Sequence, residues 1–129
     1  MDNSINDLVD EWILYSNRDI TTAKHLQKTM RPEPLEIICY LCQQSVEKML
    51  KAFLIHKEIK PYRTHNLEIL RIACTEIDNS FDNLIKECAR LNRYSSQPRY
   101  PLEIEIENND VLLAIEDSER INKFIKEKI

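Results

Sequence analysis

The chain has 129 residues, 43% of them hydrophobic and 31% charged, and a formal net charge of −4 at pH 7. These values predict one globular domain over residues 1–129 and disfavour a general nucleic-acid coat protein. Glycine is absent, which excludes both glycine-rich phosphate loops, the P-loop and the dinucleotide fingerprint. Any nucleotide must therefore be bound by side chains or by helix N-termini.

Apolar residues recur at helical spacing along most of the chain and predict five helices. The first, over residues 4–30, begins at a capping box formed by Ser4 and Asp7. The second, over residues 34–58, has Pro34 in its first turn, where proline is favoured. This helix is apolar over so much of its circumference that we expect it either to be central in a bundle or to face a partner subunit.

Three further helices are predicted, over residues 65–77, 80–94 and 109–127. Before the last of them, the alternating segment Glu103–Glu107 has the pattern of a strand, but a lone strand has no partner and we expect extended coil. Short connections between long helices favour antiparallel neighbours. The sequence therefore predicts an all-α, up-and-down bundle of about five helices.

Four cysteines, at positions 39, 42, 74 and 88, together with the absence of a signal-peptide pattern, predict a protein of the reducing cytoplasm. The longest uncharged run, residues 37–46, is too short to span a membrane. Cys39 and Cys42 have the C-x2-C spacing of a zinc ligand pair, yet they lie on the apolar stripe of a helix and lack a matching second pair. We expect buried thiols and no bound metal or cofactor.

Three segments carry a family resemblance: residues 43–54 (QQSVEKMLKAFL), 63–70 (RTHNLEIL) and 99–101 (RYP). In order and spacing they resemble the QxxEKxxKAxL, THxL and RYP landmarks of bacterial HEPN (higher eukaryotes and prokaryotes nucleotide-binding) domains. The resemblance implies a helical bundle that usually forms a homodimer and is often paired with a minimal nucleotidyltransferase in toxin–antitoxin-like systems. Activities in the family range from metal-independent RNA cleavage to non-catalytic binding of nucleotides or proteins.

The resemblance also bears on catalysis. Nuclease members of the family carry an Arg-x(4–6)-His motif late in the bundle, whereas no histidine follows Arg99 in this sequence. One pair with that spacing, Arg18 and His25, lies on a single face of the first helix, outside the family's position. A solvated helix face is the simpler interpretation of that pair, so the sequence favours a protein that is not an enzyme.

Four polar residues, Gln44, Glu47, Lys48 and Lys51, share one side of the second helix. One interpretation is a surface ladder in which Glu47 and Lys51 form an i, i+4 ion pair. The other is a row facing a ligand, in which Lys48 and Lys51 bind phosphate while Gln44 and Glu47 support them.

Two further segments hold candidate ligand contacts. His65, at the start of the third helix, is a weak candidate for a general base; alternatively, it ties the preceding loop to the bundle. Arg93, Tyr94, Arg99 and Tyr100 interleave cations with aromatic rings, a pattern that suits phosphate pairing with base stacking, and equally suits tyrosines packing under a loop. Arg99 is the best single candidate for a phosphate contact, because its planar guanidinium binds phosphate oxygens in pairs.

Three functional hypotheses follow. The first is a non-catalytic HEPN module that binds a nucleotide or a nucleotidyltransferase partner. The second is a metal-independent RNase with a degenerate site, in which Arg99 or Arg93 contacts phosphate and His65 is the base. The third is a helical scaffold without a ligand. The first two require residues 44–51, His65 and residues 93–100 to meet on a common surface.

Overall fold

The structure, a computed structural model, describes residues 3–95 and 105–129. Over these ranges the chain forms five α-helices and one short 3₁₀ helix, with no strand, which confirms the predicted all-α class. The elements are α1 (Asn3–Thr29), α2 (Leu35–His56), α3 (Leu67–Ile77), the 3₁₀ helix (Asn79–Leu84), α4 (Ile85–Asn92) and α5 (Asn108–Lys126).

The central element of the fold is α2. More than half of its residues are buried, and α1, α3, α4 and α5 all pack against it. Its apolar side chains join those of the other helices in one core, whose largest members include Phe53, Phe81 and Leu50. The apolar circumference of α2 therefore reflects a central position in the bundle, which is one of the two alternatives that the sequence predicts.

The predicted fourth helix, over residues 80–94, divides into two parts. Its first part is the 3₁₀ helix, capped by Asp78, whose carboxylate accepts from the Ser80 N–H at 3.0 Å and from the Ser80 hydroxyl at 2.6 Å. The tighter winding accompanies the burial of Phe81, whose ring centroid lies 4.6 Å from that of Phe53 and 5.2 Å from that of Phe124. Only then does regular α-helical structure begin.

The alternating segment before α5 forms neither helix nor strand where the structure describes it, at residues 105–107. Its last residue, Glu107, is instead the N-cap of α5. The Asp110 carboxylate accepts from the Glu107 N–H at 2.9 Å, and the Glu107 side chain accepts from the Asp110 backbone in return. This capping box explains why the helix begins where the alternation ends.

Buried polar contacts fix how α1, α2 and α5 sit against one another. The Ser16 hydroxyl donates to the Ser45 carbonyl at 2.7 Å, and the Ser45 hydroxyl donates to the Ser16 carbonyl at 2.8 Å. From α5, Asn122 Nδ2 donates to Ser45 Oγ at 2.8 Å. Because buried polar groups must find partners, these pairings allow few alternative rotations of the three helices.

A Schellman motif ends α2 without the usual glycine. The Glu58 N–H donates to the Ile55 carbonyl at 2.8 Å, and the Ile59 N–H donates to the Leu54 carbonyl at 2.9 Å. Glu58 has φ 60°, the left-handed conformation that normally favours glycine. The chain then turns back along α2, so that His65 reaches Glu47, roughly two and a half turns before the end of that helix.

All four cysteines are free and fully buried. Burial raises the pKa of the Cys39, Cys74 and Cys88 thiols to about 12, and it raises the pKa of Cys42 as well. The thiols therefore behave as small core side chains rather than as nucleophiles. Separately, none of the helices in the described ranges is long and apolar enough to cross a membrane.

Candidate ligand-binding site

A buried carboxylate lies at the centre of the polar face of α2. Glu47 is 4% exposed, yet both of its oxygens have donors. Lys51 Nζ lies 3.0 Å from Oε2, His65 Nδ1 lies 3.1 and 3.2 Å from the two oxygens, and Gln44 Nε2 lies 3.3 Å from Oε1. Since an unpaired buried charge is costly, these donors are what makes the burial of Glu47 possible.

A fifth residue, Gln43, joins this group from within the core. Gln43 is fully buried; its Nε2 donates to the His65 carbonyl at 2.9 Å, and its Oε1 accepts from Gln44 Nε2 at 2.8 Å. It therefore ties α2 to the chain just before α3. We refer to Gln43, Gln44, Glu47, Lys51 and His65 together as the Glu47 cluster.

The imidazole of His65 forms the outer surface of the Glu47 cluster. Its side chain is 73% exposed, although Nδ1 contacts a carboxylate that is almost wholly buried. That contact orients the ring and leaves Nε2 as the ring nitrogen available to a ligand. It also ties the connection between α2 and α3 to α2, so the two roles expected for His65 are compatible in one geometry.

Asparagines bring the end of α4 to the start of α3. Asn66 caps α3, its side chain accepting from the Glu68 and Ile69 N–H groups at 2.9 and 3.2 Å. The N–H of Leu67, the first residue of α3, donates to Asn92 Oδ1 at 2.8 Å. Because Asn92 is the last residue of α4, the segment that follows α4 begins close to His65.

The two candidate ligand contacts described in that segment, Arg93 and Tyr94, differ in exposure. Arg93 is exposed, and its guanidinium lies 5.4 Å from the Tyr94 ring centroid. Tyr94 is 4% exposed and belongs to the core, and burial raises the pKa of its hydroxyl to about 12. Tyr94 therefore packs beneath Arg93 and does not offer a free ring for stacking. Arg99 and Tyr100 lie outside the described residues.

The remaining lysine of the row, Lys48, points toward α1. It forms an ion pair with Asp19, and both side chains are largely covered, at 25% and 17% exposure. Lys48 and Lys51 thus both have carboxylate partners, one on α1 and one on α2. A bound anion would have to share or displace those partners.

The two other sequence candidates belong to α1 and are not members of the Glu47 cluster. Arg18 and His25 are exposed on α1, and the Arg18 guanidinium lies 5.2 Å from the Tyr15 ring centroid. This placement agrees with a solvated helix face. Within residues 3–95 and 105–129, no group of three histidine, cysteine or acidic side chains is arranged to hold a metal ion.

The Glu47 cluster includes one residue that sequence reasoning passed over. Gln43 lies within the segment that carries the resemblance but falls outside the i, i+3, i+4, i+7 row formed by Gln44, Glu47, Lys48 and Lys51. Its position on the apolar side of the helix was the available signal, because a glutamine there needs polar partners.

Fold and site together define a class: a small all-helical protein whose central helix carries a buried carboxylate beneath an exposed histidine. The HEPN domain model matches residues 9–129, and the chain belongs to the HEPN family. Among solved structures, an archaeal HEPN homologue is 23% identical with a TM-score of 0.74, over 93% of this chain and 96% of that one. A protein from Thermus thermophilus is 16% identical with a TM-score of 0.81, over 94% and 98%. No curated protein matches the sequence.

The buried ion pair gives a test of the site's energetics. We expect Glu47→Ala to lower the free energy of unfolding by about 3–5 kcal/mol, because it leaves the Lys51 ammonium buried without its partner. The double variant Glu47→Met/Lys51→Met removes both charges and should recover most of that loss. Urea denaturation measures both.

The matched control is Glu119→Ala, which breaks the exposed pair between Lys24 and Glu119, whose side chains are 42% and 49% exposed. That change should cost less than about 1 kcal/mol. A Glu47→Ala variant no less stable than the control would contradict the account of Glu47 as a buried, compensated charge.

Proposed function

We propose that this chain is a non-catalytic HEPN binding module whose ligand, a nucleotide, lies over the Glu47 cluster. The observation that supports the proposal is the contact between Glu47 and His65, since it couples a buried ion pair to an exposed imidazole. Well-packed apolar residues can replace a buried ion pair at little or no cost in stability. A role in ligand binding therefore explains the contact between a buried carboxylate and an exposed histidine more readily than a role in fold stability does.

Arg93 extends this surface with a second kind of contact. The bond from the Leu67 N–H to Asn92 holds the end of α4 beside the start of α3, so Arg93 follows directly on a segment that touches the His65 region. In the proposal, Arg93 and Arg99 bind phosphate oxygens, Lys48 and Lys51 add positive charge, and Tyr100 contacts a base. Glu47 holds the Lys51 and His65 side chains in place, and Gln44 supports Glu47.

We further propose that the protein dimerises and pairs with a minimal nucleotidyltransferase, as part of a toxin–antitoxin-like system in the cytoplasm. Family membership supports this proposal. So do the apolar side chains that stay exposed on three helices: Leu14 is 49% exposed, Ile72 49% and Leu112 54%. Apolar side chains at such positions supply the contact area that association requires.

The alternative function, metal-independent RNA cleavage, has its own supporting observation. A histidine whose Nδ1 is held by a carboxylate and whose Nε2 is open has the arrangement of a general base. Glu47 and His65 have this arrangement. In this alternative, Arg93 or Arg99 would bind the phosphate being cleaved.

Nucleotide binding predicts a thermal effect. ATP at about a hundred times its dissociation constant should stabilise the fold by roughly 2.7 kcal/mol, measured as a rise in melting temperature. Arg99→Ala and His65→Ala should each weaken binding about tenfold or more, because each removes a charged or polar contact to the ligand. Arg120→Ala is the control, since this arginine is 68% exposed and paired with Glu87 outside the site. Unchanged ATP affinity in both site variants would refute the assignment.

Dimerisation and pairing predict changes in mass. Sedimentation should give a species of twice the chain mass of 15.4 kDa, and a heavier complex once a purified minimal nucleotidyltransferase is added. Leu112→Glu and Ile72→Glu, tested separately, should identify the face that is used, because a buried glutamate opposes association. A monomer that persists at high concentration, with and without the nucleotidyltransferase, would rule out both associations.

The RNase alternative predicts cleavage of RNA in the presence of a chelator. His65→Ala should lower the rate by about 10²–10⁴-fold, the usual contribution of a general base, and Glu47→Gln should lower it through loss of the charge that orients the ring. His25→Ala, which changes an exposed histidine on α1, should have no effect. Absence of cleavage at high protein concentration would reject this alternative and leave the binding module.

A further inference from the structure

A recess of about 350 Å³ lies beside the Glu47 cluster, between α1 and α2. It is lined by Leu8, Glu11, Trp12, Tyr15 and Lys48. Its volume is within the range of small-molecule sites, which are lined mostly by apolar and aromatic side chains with a few polar groups. None of the α1 residues that line it was singled out by sequence reasoning about ligands.

The aromatic wall of the recess comes from one face of α1. Leu8, Trp12 and Tyr15 follow one another at helical spacing, and Leu8 and Tyr15 are each 43% exposed. Apolar side chains on that stripe would normally be covered by the core, but here they remain partly exposed, with the Arg18 guanidinium 5.2 Å from one ring centroid, that of Tyr15. They offer the surface that planar rings stack on.

Trp12 and Lys48 connect the recess to the Glu47 cluster. The Lys51 ammonium, which is paired with Glu47, lies 5.8 Å from the centroid of the Trp12 ring. Lys48, which lines the recess, is the next residue along α2 from Glu47. A ligand with a ring in the recess would therefore have its remaining atoms close to the two lysines.

We propose that this recess binds the base of a nucleotide, stacked against Trp12 and Tyr15. Glu11 accepts hydrogen bonds from the amino group of the base, and Lys48 donates to its acceptors or to the sugar–phosphate. This assignment rests on the proposed nucleotide-binding function and adds to it the position of the base. Burying the recess under apolar side chains of a protein would desolvate the Glu11 carboxylate, whereas a base offers an amino group that donates to it.

The single tryptophan of the chain reports directly on this site. Trp12 fluorescence, excited where nucleotides do not absorb, is titrated with AMP and, in parallel, with ribose 5-phosphate, which has the phosphate but no base. We expect saturable quenching by AMP alone. Tyr15→Ala should weaken AMP binding by at least about fivefold, the lower end of what one stacked base contributes.

Tyr62→Ala is the matched control, because Tyr62 is 58% exposed and lies outside the recess; its AMP affinity should equal that of the unmodified protein. If AMP raises the melting temperature while Trp12 fluorescence stays unchanged and Tyr15→Ala binds normally, the recess is refuted and the proposed function stands. If neither AMP nor ATP produces either effect, both are refuted. Quenching that depends on protein concentration and not on AMP would assign the recess to a second copy of the chain, against the proposal.

Discussion

The burial of the Glu47 carboxylate determines how the Glu47 cluster is arranged. Glu47 lies in the middle of the most buried helix and is 4% exposed, so its charge can be kept only if donors surround it. Those donors come from its own helix, through Lys51 and Gln44, and from a distant part of the chain, through His65. The position of His65 in turn determines where α3 begins.

The same requirement explains the path between α2 and α3. A direct turn would start α3 near the end of α2 and leave Glu47 without its imidazole. Instead the chain runs back, and two bonds hold it there: Gln43 donates to the His65 carbonyl, and Leu67 donates to Asn92 at the end of α4. The elements that complete the Glu47 cluster are therefore also the ones that join α2, α3 and α4.

Periodicity was enough to predict the helices, because apolar spacing reports directly on which face is buried. The ends of α1, α2 and α3 lie within two residues of the predicted limits. The 3₁₀ helix was not predicted, since its winding accompanies the packing of Phe81 against two phenylalanines distant in sequence. Local pattern contains no information about such contacts.

In the candidate site, too, local pattern predicts contacts within one helix but not contacts between segments distant in sequence. The i, i+4 relation of Glu47 and Lys51 could be predicted from one helix, whereas the partners supplied by other segments could not. Lys48 pairs with Asp19 across 29 positions, and Trp12 resembled an ordinary core residue because its apolar character is the same in a core and in a surface recess. Tyr94, whose pattern suited stacking and packing equally, is buried; only the tertiary structure distinguishes these cases.

The absence of glycine affects the stability of the whole chain in one direction and the end of α2 in the other. A polypeptide without glycine samples fewer backbone conformations when unfolded, so less conformational entropy is lost on folding. Where the backbone requires a left-handed conformation, however, a residue with a side chain must adopt it at a steric cost. At the end of α2 that residue is Glu58. The absence of glycine therefore stabilises the folded state along the whole chain. The steric penalty is confined, among the residues described, to one exposed position, Glu58, at the start of the path that leads to His65.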